Sequence, residues 1–118
     1  MDDQLYKQYI LDFYRNPLNK GKLDPCDLQA SGTNQTCGDK IEITIRLDKD
    51  RRIVEIKHMG VGCAISQASI SLLTDKVKGM LVDEINTMKK EEAIALLNVP
   101  ISHTREKCAT LGWIILQK

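Results

Sequence analysis

The chain has 118 residues, 42% of them hydrophobic, which is enough for one core and too little for two comfortable ones. Its 17 Lys and Arg nearly cancel 16 Asp and Glu, leaving a formal net charge of +1. No overall basic field therefore exists to attract nucleic acid or an anionic membrane. The expectation is a single domain over residues 1–118 with neither kind of partner. The opening "MDDQLYKQYI" lacks the basic-then-apolar run of a secretion signal, and no apolar stretch approaches a membrane span, so a cytoplasmic location is expected. In that reducing setting Cys26, Cys37, Cys63 and Cys108 read as metal ligands, reactive thiols or small buried hydrophobes rather than as a disulfide framework.

In chain order, Leu5, Tyr6, Tyr9, Ile10 and Phe13 recur at helical spacing between Asp2 and Tyr14, and "RNP" at Arg15 to Pro17 ends the pattern. Leu18 to Gln35 carries Gly21, Pro25 and Gly32 without a sustained period, which reads as a loop with a short strand around Leu28 to Ser31. Ile41, Ile43, Ile45 and Leu47 then alternate with Glu42, Thr44 and Arg46. That is a strand with one wet face. "DKDR" at Asp48 to Arg51 turns the chain, and Ile53 to Met59 returns as the second arm of a hairpin.

Ile65, Ala68, Ser69, Leu72, Leu73, Lys76 and Val77 trace a helical stripe stopped by Gly79, and two shorter helices follow, ended near Asn98 and Pro100. Ser102 or Thr104 is placed to cap a last helix running to the C-terminus. These elements predict an α+β fold: a small antiparallel sheet of about three strands with helices packed on one face.

Three of the cysteines fall at element junctions. Cys37 in "CGD" precedes a strand, Cys63 in "GVGCAIS" precedes a helix, and Cys108 lies in the first turns of the last helix. Junctions of this kind can converge at one edge of a sandwich, and the unpaired N–H groups of a helix N-terminus suit a thiolate. Asp39 follows Cys37 by two, a spacing that puts both side chains on one side of an extended segment. Three thiolates and a carboxylate suit tetrahedral zinc, and cysteine ligands also hold iron–sulfur clusters. Without a CxxC pair, spacing alone leaves small buried hydrophobes as the competing reading. Gly60 and Gly62 favour a place where backbone approaches something closely, although a tight turn would use them too.

"CGD" at Cys37 to Asp39, "GVGCAISQAS" at Gly60 to Ser69, "REKCATLGW" at Arg105 to Trp113 and "NPLNKG" at Asn16 to Gly21 together resemble the NifU N-terminal, IscU and SufU family of iron–sulfur cluster assembly proteins, over nearly the whole chain. The second and third motifs look more like the SufU-type branch, and Lys107 stands where the IscU-type branch has a histidine. The stretch from Val77 to Thr104 is shorter than in SufU-type proteins, which carry an insertion there.

The resemblance implies one Zn2+ held by Cys37, Asp39, Cys63 and Cys108 in the resting protein. It implies Cys37 as acceptor of persulfide sulfur from a pyridoxal phosphate-dependent cysteine desulfurase. It also leaves open a scaffold role, with iron or a transient [2Fe-2S] cluster on the same residues and apo iron–sulfur proteins as recipients. On either reading the protein is a sulfur acceptor or scaffold rather than a stand-alone enzyme. Gly38, Gly60 and Gly62 would shape the site, and Arg105 and Lys107 would supply positive charge beside Cys108. A structural zinc module without sulfur transfer is the alternative, though such modules usually pair ligands as CxxC knuckles.

Among the remaining candidates, His58 reads as a packed core histidine on the same side as Val54 and Ile56, His103 as a solvated loop residue, Cys26 as an incidental thiol and "KKEE" at Lys89 to Glu92 as a solvated helix face.

Overall fold

The computed structural model describes residues 3–34, 38–97 and 106–117, with only the backbone described at 3–7 and 9. Its elements in order are α1 (Asp3–Arg15), β1 (Leu28–Asn34), β2 (Asp39–Leu47), β3 (Ile53–Val61), α2 (Ala64–Val77), α3 (Val82–Asn86), α4 (Lys90–Ala95) and α5 (Glu106–Leu116). The strands form one antiparallel sheet in the order β1-β2-β3. β1 runs three residues beyond the expected end, to Asn34, because the pairing with β2 continues to Asp39. The expected helix stops near Asn98 and Pro100, the caps Ser102 and Thr104, and His103 lie outside the described residues.

Alternation decides the layers. Ile41, Ile43 and Ile45 of β2 turn to one face and bury against Ile70, Leu73 and Val77 of α2 and Leu111 and Ile115 of α5. Burying such side chains contributes about 1.5–3 kcal/mol each, so this interlayer seam is the main source of stability. Gly112, within α5, lets the two helices meet: a Cβ there would stand 2.5 Å from Ile70 Cδ1 and 3.3 Å from Leu73 Cδ2.

The hairpin contains an irregularity that simple alternation misses. Arg46 pairs with Glu55, yet the next residue, Leu47, pairs with Ile53, so Val54 is the extra residue of a β-bulge. Ile53 and Ile56 are both buried while Val54 is 51% exposed. The expectation that Val54 shares a face with Ile56 and His58 is therefore corrected; one inserted residue reverses the parity.

The opposite face of the sheet is partly covered as well. Leu23 N–H donates to Thr44 Oγ1 at 3.0 Å, and both residues are buried. Just before it, the chain runs along the outer edge of β3, where His58 N–H donates to Asn19 O at 2.9 Å and Gly21 N–H to His58 O at 2.8 Å. Asn19 adopts φ 62° and its Nδ2 donates to Thr74 Oγ1 at 3.1 Å. The His58 ring is buried with Nε2 2.7 Å from Leu18 O. A carbonyl only accepts, so Nε2 carries the proton. His58 is thus a core histidine that straps the segment after α1 to the sheet.

Candidate metal centre

Three element starts meet at one end of the sandwich. β2 begins at Asp39, whose side chain shares the helix-facing parity of Ile41 and Ile43 and is 1% exposed. α2 begins after its N-cap, Cys63, with extended φ −72° and ψ 168°. Cys108 is the third residue of α5 and is 0% exposed.

The potential ligand atoms of Asp39, Cys63 and Cys108 all lie within 4.8 Å of one another. A tetrahedral zinc with bonds of about 2.3 Å spaces two sulfurs by about 3.8 Å, so the cluster needs only a small contraction to close on an ion.

Each of these three side chains has a specific donor. Cys63 N–H donates to Asp39 Oδ1 at 2.9 Å. Ser66 N–H points at Cys63 Sγ at 3.5 Å, which puts sulfur in the capping position of the helix, and Ser66 Oγ donates to Cys63 O at 3.0 Å. Asn34 Nδ2 lies 3.8 Å from Cys108 Sγ.

Gly62 keeps this arrangement possible, because a Cβ there would lie 2.8 Å from Asp39 Oδ1 and would also strike Ser66 Oγ. Gly60 serves differently: with φ 146° its missing Cβ lets Lys40 O approach, so it fits the β2–β3 contact rather than the ligand cluster.

Asp39 Oδ2 is buried and has no hydrogen-bond partner among the described residues. Leaving such an oxygen unpaired costs about 1–3 kcal/mol, and more for a charged group, whereas a cation beside it converts that cost into binding. Below the thiols lies an apolar floor of Ile10, Ile65, Ala68, Leu97 and Ala109, with Phe13 against it, where water competes poorly. Two sulfurs and one carboxylate oxygen form a donor set suited to zinc or iron. The residues present fit such an ion.

Cys37 and Arg105 lie outside the described residues. The expectation that Cys37 and Asp39 face one way involves Cys37 and so also lies outside the described residues; Gly38 between them adopts φ 73°. That φ, not lack of space, is what selects glycine here: a Cβ would meet nothing within 4 Å. Lys107 is exposed on α5, and Lys89 to Glu92 are solvated as expected. Cys26 is half-buried in the loop before β1. Sequence reasoning missed Asn34 and Ser66, which donate to the two cysteine sulfurs, one through its side-chain amide and the other through its backbone N–H; Ser66 was readable as part of a helix cap, Asn34 only through the length of β1.

An α+β sandwich with a candidate metal-ligand set at the starts of β2, α2 and α5 is the class that this geometry defines. The model of the NifU-like N terminal domain matches residues 5–118, and the chain belongs to that family. It is 40% identical, over 134 aligned positions, to the zinc-dependent sulfurtransferase SufU of Bacillus subtilis, with 98% of this chain and 89% of that protein covered. It is 36% identical to the iron–sulfur cluster assembly scaffold protein IscU of Thermotoga maritima, covering 97% and 91%. Among solved structures it resembles a SUF-system scaffold protein described as putative, from Fervidobacterium islandicum, with a TM-score of 0.79 and 26% identity over 99% of this chain and 97% of that one. The SufU alignment is longer than the 118 residues available, so that relative carries a segment absent here, in keeping with the short stretch between the second and third motifs.

Proposed function

We propose that residues 1–118 act as a single NifU-like domain in cytoplasmic iron–sulfur cluster assembly, accepting sulfur from a pyridoxal phosphate-dependent cysteine desulfurase. Cys37, Asp39, Cys63 and Cys108 hold one Zn2+ in the resting protein. The observation that carries this reading is the convergence of Asp39, Cys63 and Cys108 within 4.8 Å around a buried carboxylate oxygen with no hydrogen-bond partner among the described residues. The higher identity to a zinc-dependent sulfurtransferase than to IscU scaffolds supports sulfur acceptance over scaffolding.

Bound zinc supplies one thing, a positive charge that keeps cysteine sulfurs deprotonated. The chain does the rest. Gly62 and Cys63 N–H seat Asp39, and the apolar floor excludes water. Cys37 immediately precedes Gly38, whose own position is exposed, which suits an approach by another protein. In the transfer, the Cys37 thiolate attacks the outer sulfur of the desulfurase persulfide, the S–S bond of the donor breaks, and the donor cysteine leaves as thiolate. Arg105 and Lys107 provide charge that favours the anionic partners. The sulfur then passes to apo iron–sulfur acceptor proteins.

A scaffold role is the second reading, favoured by the IscU relatives at 34–36% identity; there the same residues carry iron or a [2Fe-2S] cluster as cargo. Desulfurase turnover measured with the zinc form and with an anaerobically iron-reconstituted form separates the two. Stimulation by the zinc form that is lost in Cys37→Ala, without a stable cluster, supports the acceptor. Cluster formation and transfer supports the scaffold, and neither result returns the domain to a structural zinc module.

A further inference from the structure

Asn34 is the last residue of β1, its Cα pairs with that of Asp39, and its side chain is buried at 8% exposure. The amide nitrogen lies 3.8 Å from Cys108 Sγ, a length that the large sulfur radius makes ordinary for N–H···S. One residue thereby sets two candidate ligands from different elements: its backbone fixes the start of β2, and its side chain reaches the start of α5. An Asn NH2 only donates, so its match on this side is an electron-rich sulfur.

We propose that Asn34 is a positioning residue of the metal centre, whose side-chain amide donates to the metal-bound Cys108 sulfur, orients it and withdraws part of its charge. This rests on the metal-site reading above. Outer-shell donors of this kind orient ligands and tune the metal they hold. The consequence is inequality among the sulfurs. Cys108, fully buried and held by a side-chain amide, is the anchored and less nucleophilic one, whereas the sulfur of half-buried Cys63 receives, among the described residues, the backbone N–H of Ser66.

The test uses the whole chain loaded with Co(II), and separately with an NMR-active cadmium isotope. In the wild type, the Asn34 side-chain amide proton should show a scalar coupling to cadmium, which only an N–H···S–metal path transmits. Asn34→Leu, which keeps the bulk and removes the donor, should weaken zinc binding in a chelator competition by about 10–100-fold and move the thiolate-to-cobalt absorption band to lower energy. Asn34→Asp, which places a negative charge beside the sulfur, should weaken binding at least as much. Should neither variant fold, the wild-type coupling decides alone. Metal bound without that coupling overturns the role of Asn34 while leaving the metal centre standing. Failure of the wild type to bind zinc, cobalt or cadmium at all overturns the metal-site reading, and this role with it.

Discussion

Cys63 N–H and Asp39 Oδ1, 2.9 Å apart, join the N-cap of α2 to the first residue of β2, and Gly62 is the gap through which the carboxylate reaches. Gly62→Ala would put a methyl group 2.8 Å from that oxygen and force Asp39 out of line. Its zinc affinity, measured by chelator competition, should fall by about 10–100-fold, while the melting temperature of the metal-free protein changes little. Equal affinity in the two proteins would mean that the carboxylate is not a ligand.

Asp39 should carry opposite signs in the empty and loaded states. Its Oδ2 is buried with no partner among the described residues, so Asp39→Asn, which removes that unsatisfied carboxylate oxygen, should stabilise the metal-free fold by about 1 kcal/mol. The same change removes the anionic oxygen that a cation needs, so the rise in melting temperature on adding zinc should shrink markedly. Thermal melts with and without zinc read both effects.

His58 imposes a pH dependence of known sign. Burial, the largest influence, pushes its pKa below 6.5; the bond to Leu18 O opposes this, and Lys20 and Lys57 add to the lowering. The unfolded chain therefore takes up the proton first. The contribution of neutral His58 is complete above about pH 6.5 and declines as the pH falls toward the lower folded-state value. His58→Phe, which loses the strap to Leu18, should cost about 1 kcal/mol at neutral pH. Urea unfolding at about pH 7.5 and about pH 5.5 should show the gap to wild type narrowing on acidification; a gap that widens would contradict the assignment.

Gly112→Ala tests the α2–α5 contact. Alanine is the better helix former, and on propensity alone the change should stabilise α5 by about 1 kcal/mol. The added Cβ would stand 2.5 Å from Ile70 Cδ1, and overpacking of this kind costs about 1–3 kcal/mol. The clash wins, so the urea midpoint should fall.

Much of this architecture was legible because its physics is local. The alternation of Ile41, Ile43 and Ile45 announces β2 and its buried face, and the apolar stripe from Ile65 to Val77 announces α2. The junction positions of Cys63 and Cys108 were equally visible. What escaped depends on register or on partners distant in sequence. The bulge at Val54 exists because two strands pair with unequal spacing, which no period within β3 encodes. The reach of Asn34 to Cys108 joins residues 74 positions apart, and the left-handed conformation of Gly38 is not encoded by any period in the strand that follows it. Cys37 as a ligand remains an inference from its motif.

The described ligands belong to three elements, and even the nearest two, Asp39 and Cys63, are 24 positions apart. An ion held there would act as a reversible crosslink. It would close long loops whose ends are otherwise joined by packing and hydrogen bonds, and its binding energy would become folding energy. No local fragment assembles the pocket, and it is complete only when α5 docks against α2. Metal uptake would therefore report that the chain has finished folding, and handing over what the site holds would loosen the seam between the first strand pair and the last helix. A partner able to feel that looseness could distinguish a loaded carrier from a spent one without touching the cargo.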